Sequence, residues 1–234
     1  MLDEDMTDAT ATEPTTDSKR LKVDVWLDVA CPFCLLGDKR LENVRKELPF
    51  GDDIDVVYHS YQLDPSAPEH AEPGSQEAML LARGYDPAQL EASHRNLSEQ
   101  AVAEGFRFDF DAVAPSNTYT AHRFIQAAAS ERVQQQVLDA IFAAYFTDGV
   151  DVGDTAALVE LAVGAGLSRE LAERVAADER TFDTEVRQDI AQAAAYGIQG
   201  VPFFVLDGRY GVSGAQPSDA FRQALTQVHT ELNA

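Results

Sequence analysis

Cys31 and Cys34 are the only cysteines in 234 residues, and they stand three positions apart in "WLDVACPFCLLGDKRLENV". Such a pair serves metal ligation, a structural disulfide or thiol–disulfide exchange. Structural zinc needs four Cys or His ligands, commonly as two such pairs. His59, His70, His94, His122 and His229 are scattered singly, so nothing completes a metal site. A disulfide between residues three apart closes a tiny loop and removes little unfolded-state entropy. Exchange remains, and position supplies its mechanism.

Cys31 falls where a strand ends and a helix begins, so its sulfur meets the unpaired N–H groups and positive end of the helix. That setting favours thiolate over thiol and makes Cys31 an attacking nucleophile. Cys34, one helical turn further, is placed to attack the resulting mixed disulfide and release the substrate. Pro32 stiffens the turn, and Phe33 offers apolar surface to a substrate without adding a cation between the cysteines. Further along, Val201–Pro202 allows two readings. Proline is tolerated at the start of an edge strand; alternatively, a cis bond here would expose the Val201 backbone to a substrate segment beside the CxxC. Asp28, three residues before Cys31, is either a solvated strand end or a carboxylate that accepts the Cys34 proton during resolution. His122 and Arg123, in "NTYTAHRF", read as helix residues that pair or cap locally.

The elements that must position these groups follow from periodicity. "LKVDVWLDV" (21–29) alternates as a strand, and "CPFCLLGDKRLENVRKEL" carries Leu35, Leu36, Leu41, Val44 and Leu48 at helical spacing. "IDVVYHSYQL" (54–63) is a second strand, which completes a right-handed βαβ unit. From about 64 to 196 the pattern is helical nearly throughout, with Asn117 or Ser116 as an N-cap and Gly197 as a C-cap. "VPFFVLDGRYGVSGA" then reads as a hairpin turning at Asp207–Gly208, and a helix over about 217–232 closes the chain. The expected division is an acidic, disordered lead-in over 1–20, an α/β core over 21–63 and 197–234, and a helical insertion over 64–196.

Composition narrows the function. Forty acidic residues against 18 basic ones give a net charge of −22, a field that repels nucleic acid and anionic membrane. The same excess suits a surface adapted to high salt. No apolar run approaches the roughly 18–20 residues that span a bilayer. The N-terminal stretch has neither a basic nor an apolar signal region, so the expected location is cytoplasmic, where thiols stay reduced.

The order β–CPxC–helix, second strand, helical insertion and "GIQGVPFFVLDGRYGVSGAQP" resembles the DsbA-like thioredoxin family, in particular its FrnE-like dithiol–disulfide oxidoreductases. The resemblance covers residues 21–232 and is most specific in "CPFC" with "LLGDKRLE", in "NTYTAHRF" and in "GVPFF…DGRY…SGAQP". It implies an α/β, thioredoxin-like fold: a central mixed sheet flanked by helices and carrying a large all-helical insertion. It also implies Cys31 as nucleophile, Cys34 as resolving thiol, and a cis Val201–Pro202 peptide. Expected partners are protein or small-molecule thiols and disulfides. No cofactor is expected beyond the Cys31–Cys34 disulfide, with glutathione as a candidate co-substrate. Kappa-class glutathione transferases and 2-hydroxychromene-2-carboxylate isomerases share the superfamily but typically carry serine where Cys31 stands. A glutathione-dependent isomerase or transferase is therefore the alternative, and a chaperone-like peptide binder a third reading. Pro-Phe between the cysteines departs from the Pro-His of the family's periplasmic oxidant, so that protein's oxidising strength does not carry over.

Overall fold

β1 (Leu21–Leu27) is buried at six of its seven positions, as befits a strand with neighbours on both edges. A computed structural model describes residues 19–234; of the expected lead-in, residues 1–18 lie outside the described ones. At the start of the described chain, the Lys19 amide donates to Asn233 and Arg20 pairs with Asp55.

The sheet runs β2-β1-β3-β4. β1 and β2 (Ile54–Ser60) are parallel, in register from Leu21↔Ile54 to Leu27↔Ser60, and α1 (Pro32–Glu47) is their crossover. β3 (Phe203–Leu206) runs antiparallel to β1, and β4 (Tyr210–Ser213) antiparallel to β3. Asp207 and Gly208 between them both take positive φ, 51° and 65°, the left-handed pair that a tight hairpin needs. α9 (Ser218–Leu232) packs on α1 and β1. On α1, Leu35, Leu36, Leu41 and Val44 are buried. Each contributes about 1.5–3 kcal/mol, so packing rather than capping fixes this helix.

Between β2 and β3 lie α2 (Gln76–Ala82), α3 (Pro87–Ala103), α4 (Tyr119–Ser130), α5 (Gln134–Phe146), α6 (Thr155–Gly164), α7 (Arg169–Ala177) and α8 (Asp183–Ala195). Residues 61–75 are not helical: Pro65, Pro68 and Pro73 lack amide donors and bias the residues before them toward extended backbone. The stretch 116–146 is two helices, parted where Arg132 adopts φ 64°. Thr118 stands at the N-cap position of α4 without a side-chain hydrogen bond to the helix, and it is Asn117 whose Oδ1 accepts from the Tyr119 amide at the first helical position. Gly197 follows α8 in the left-handed region (φ 70°), as a C-terminal glycine should. One hydrophobic core runs from β1, α1 and α9 into α4, α5, α6 and α7, so the helical segment packs into the sheet domain's own interior. Among the described residues, no helix is long and apolar enough to cross a membrane.

Candidate active site

Cys31 caps α1 itself. Its backbone is extended (φ −95°, ψ 109°), Pro32 takes the first helical position, and its Sγ accepts from the Cys34 amide at 3.3 Å. The sulfur therefore receives one of the free donors that a helix start always leaves. The Cys31 Sγ also stands 3.5 Å from the Val201 carbonyl oxygen, to which the thiol donates. The Val201–Pro202 peptide is cis. Gly37 eases this approach: a Cβ there would sit 3.1 Å from Pro202 Cγ and 3.2 Å from Phe204 Cζ, tight contacts that glycine spares where α1 meets β3.

Both thiols are free. Cys31 is 4% exposed and Cys34 wholly buried, so substrate can reach only the first. Burial, then the Cys31 sulfur, pushes the Cys34 thiol well above the ordinary cysteine range; the Asp28 charge adds to this, while a backbone hydrogen bond from Asp28 opposes it. A thiol so reluctant to ionise needs a proton acceptor close by if it is to attack.

Asp28 is no solvated strand end. It is 1% exposed, with Oδ2 accepting from the Leu63 amide at 2.7 Å and Oδ1 from the Ala30 amide at 3.4 Å. Oδ1 also lies 3.3 Å from His122 Nε2, across 94 residues of chain. The local pairing expected of "NTYTAHRF" gives way to long-range contacts throughout the motif. Asn117 donates to Pro65 and Ala67 carbonyls and accepts from Gln62, fixing the loop after β2. His122 reaches Asp28, at the end of β1. Arg123 donates to the carbonyls of Val175, Asp178 and Thr181, closing the C-terminal end of α7. Sequence marked the motif but could not supply its partners, because nothing in local spacing encodes a contact between α4 and the end of β1.

A cleft of about 440 Å³ opens over Cys31. Pro32, Phe33 and Val201 form its floor, and Leu63, Met79, Leu80, Leu90 and Phe110 are among its apolar walls. Phe33, Leu63 and Tyr85 are half-exposed here, large apolar groups that water covers. Gln76, at the first turn of α2, lines the same cleft with its Oε1 buried and without a partner among the described residues. The expected substrate-side residues Pro32, Phe33, Val201 and Pro202 thus gather about Cys31, although Pro202 itself is buried behind Val201, against Gly37.

Elsewhere, Asp38, Glu42 and Asp139 bring three carboxylates within 4.8 Å of one another. Lys39 already bridges two of them, at 2.9 Å to Glu42 and 2.7 Å to Asp139, so an ammonium stands where a metal ion would.

Comparison with known proteins agrees with this geometry. The model of the DSBA-like thioredoxin domain family matches residues 22–226. A probable DsbA oxidoreductase from Streptomyces coelicolor is 39% identical, with a TM-score of 0.84 over 91% of each chain. The Bacillus subtilis protein YwbO is 26% identical over 207 residues, covering 87% of this chain and 95% of its own. The cytosolic disulfide reductase DsbM from Pseudomonas aeruginosa, solved with GSH, is 19% identical, with a TM-score of 0.60 over 88% of this chain and 98% of that one. At that identity the likeness is one of fold: a mixed sheet, thioredoxin-like, with helices inserted.

Proposed function

We propose, from the premise that this chain belongs to the DSBA-like thioredoxin domain family, that it exchanges disulfides through a Cys31–Cys34 couple. The observation that carries this reading is the asymmetry of the pair. Cys31 caps a helix at the floor of an apolar cleft, and Cys34 is sealed one turn behind it.

The chemistry follows from that placement. The Cys31 thiolate attacks a substrate disulfide, breaks its S–S bond and forms a mixed disulfide while one thiolate leaves. Cys34 then yields its proton to Asp28 and attacks the Cys31 sulfur. The Cys31–Cys34 disulfide forms, the second substrate thiolate leaves, and two electrons have passed from the dithiol to the substrate. Run backwards, the same steps oxidise a dithiol. The Val201 carbonyl, bordering the cleft and 3.5 Å from the Cys31 sulfur, is placed to accept a hydrogen bond from a substrate backbone. The cleft suits an apolar polypeptide segment or a small disulfide, glutathione included. The FrnE-like branch is the reading that the sequence motifs support.

Two variants test the reading by mass spectrometry and turnover with a disulfide substrate. Cys31→Ser is expected to abolish exchange, and Cys34→Ser to accumulate a mixed disulfide on Cys31. Exchange that survives Cys31→Ser would sink the proposal, and glutathione-dependent isomerisation surviving there would favour the isomerase alternative. Equilibration in glutathione buffers then gives the direction: a potential near about −270 mV marks a reductant, one near about −120 mV an oxidant.

A further inference from the structure

Among the described residues, His122 is a buried histidine with a single polar partner. It is 1% exposed, its Nε2 lies 3.3 Å from Asp28 Oδ1, and its buried Nδ1 meets no partner among them. Core histidines ordinarily satisfy both ring nitrogens, and a buried polar atom left unpaired calls for an explanation. Here the ring's whole hydrogen-bonding capacity goes to one carboxylate, and that carboxylate belongs to the residue whose backbone carbonyl accepts from the Cys31 amide at 3.1 Å and whose charge acts on the Cys34 thiol. With Nδ1 facing no acceptor, the ring proton belongs on Nε2, and the ring donates to Asp28.

We propose that His122 is a positioning residue for resolution: from the helical cap, it donates to Asp28 and holds that carboxylate oriented to take the Cys34 proton. The inference rests on the exchange reading above. The proton leaves Cys34 Sγ for Asp28, the sulfur's electron pair forms the bond to Cys31, and the substrate thiolate departs; His122 keeps its own proton throughout.

The groups around the pair support this assignment. Asp28 comes from the end of β1, Cys31 and Cys34 from α1, and Tyr145 from α5, whose hydroxyl is pushed up by burial and then by the Asp28 charge. Arg123, the cation next to His122 in sequence, is turned away to the α7 carbonyls. Asp189 of α8 is occupied with His59, Ser60 and Gln126. Among these contacts, His122 is therefore the one side-chain donor given to Asp28; its other donors are the Leu63 and Ala30 amides.

The test separates the two chemical steps. Reduced full-length protein is mixed with the aryl disulfide of 5-thio-2-nitrobenzoate, whose first released thiol reports Cys31 attack and whose second reports Cys34. His122→Phe is expected to leave the first release unchanged and slow the second about tenfold near neutral pH, the worth of one hydrogen bond to a charged group. The rise of that second rate with pH should move to higher pH. His122→Gln, which keeps an N–H for Asp28, should stay within about threefold of the parent. A second release in His122→Phe that follows the parent's pH profile would overturn the proposal, as would a Gln variant as slow as the Phe one. Nitrogen NMR of the parent gives an answer independent of any variant's folding: Nε2 protonated and Nδ1 bare is expected, and the reverse tautomer overturns the inference. A parent that releases no second thiol at all overturns the exchange reading, and this inference with it.

Discussion

Asp38 is a carboxylate with one proton too few around it. The Tyr58 hydroxyl lies 2.7 Å from Asp38 Oδ1 and also contacts Gln135 Oε1, and it has a single hydrogen for two acceptors. A protonated Asp38 resolves the conflict: its O–H donates to the Tyr58 oxygen while the tyrosine proton goes to Gln135. Consistently, burial and then the Asp139 charge push Asp38 up to about 7, against the Tyr58 hydrogen bond that pulls it down. The folded chain thus binds more protons than the unfolded one between the ordinary aspartate range and about pH 7, and stability falls as pH rises through that window. Asp38→Asn keeps the shape and supplies a permanent donor. It is expected to raise unfolding free energy by roughly 2–4 kcal/mol at pH 8 and by little at pH 4. Urea titrations of both proteins at the two pH values check this, and an equal effect at both would refute it. Residues of this kind are illegible in sequence: Asp38 sits inside "LLGDKRLE" looking like a solvated helix position. Cys31 and Cys34 were legible because their spacing and the strand–helix junction are local facts. Asp28 stayed open between two readings because its burial depends on the distant cap.

The elements divide the same way. Strand alternation and helical spacing gave β1, α1, β2, the hairpin and α9 to within a few residues, since each presents one face to a core. Less legible was the cap, where α2 and α7 stand out weakly and the prolines of 65–73 interrupt the helical pattern. What joins cap to sheet is also non-local. His59 on β2 places Nδ1 2.7 Å from Asp189 of α8 and Nε2 2.7 Å from Asp24 of β1, and its ring stacks on Trp26 with centroids 4.4 Å apart. Burial alone would lower this histidine, but the hydrogen bonds to Asp189 and Asp24 outweigh it and bring it up to about 9. A raised histidine contributes stability that is fully present below about pH 6.5 and is lost as pH climbs through about 9. The contribution is on the order of 2–3 kcal/mol. His59→Asn should therefore differ most from the parent at pH 6 and converge on it at pH 10. A constant gap between their urea midpoints across that range would show that His59 acts by packing alone.

At the scale of the molecule, two effects of salt oppose one another, and the charge count decides between them. Forty acidic residues face 18 lysines and arginines, so even complete one-to-one pairing leaves 22 carboxylates without a Lys or Arg partner. Many cations are already engaged, among them Arg20 with Asp55, Arg169 with Glu160 and Arg222 with Glu47. Salt screens those surface pairs, each worth only about 0.2–1 kcal/mol. It also screens repulsion among the excess carboxylates, whose reach is a Debye length of roughly 30 Å at about 0.01 M and shrinks to about 3 Å at 1 M. The excess outnumbers the pairs that can be lost, so relief of repulsion wins. The buried links through His59 and Arg123 are little screened and hold cap to sheet at either extreme. The melting temperature is expected to rise by about 5 °C or more between low salt and 1 M KCl, since each kcal/mol moves a chain of this size by about 2–4 °C. A melting temperature that stays flat or falls over that range would mean that the acidic surface is a solvation feature alone and not an adaptation to salt.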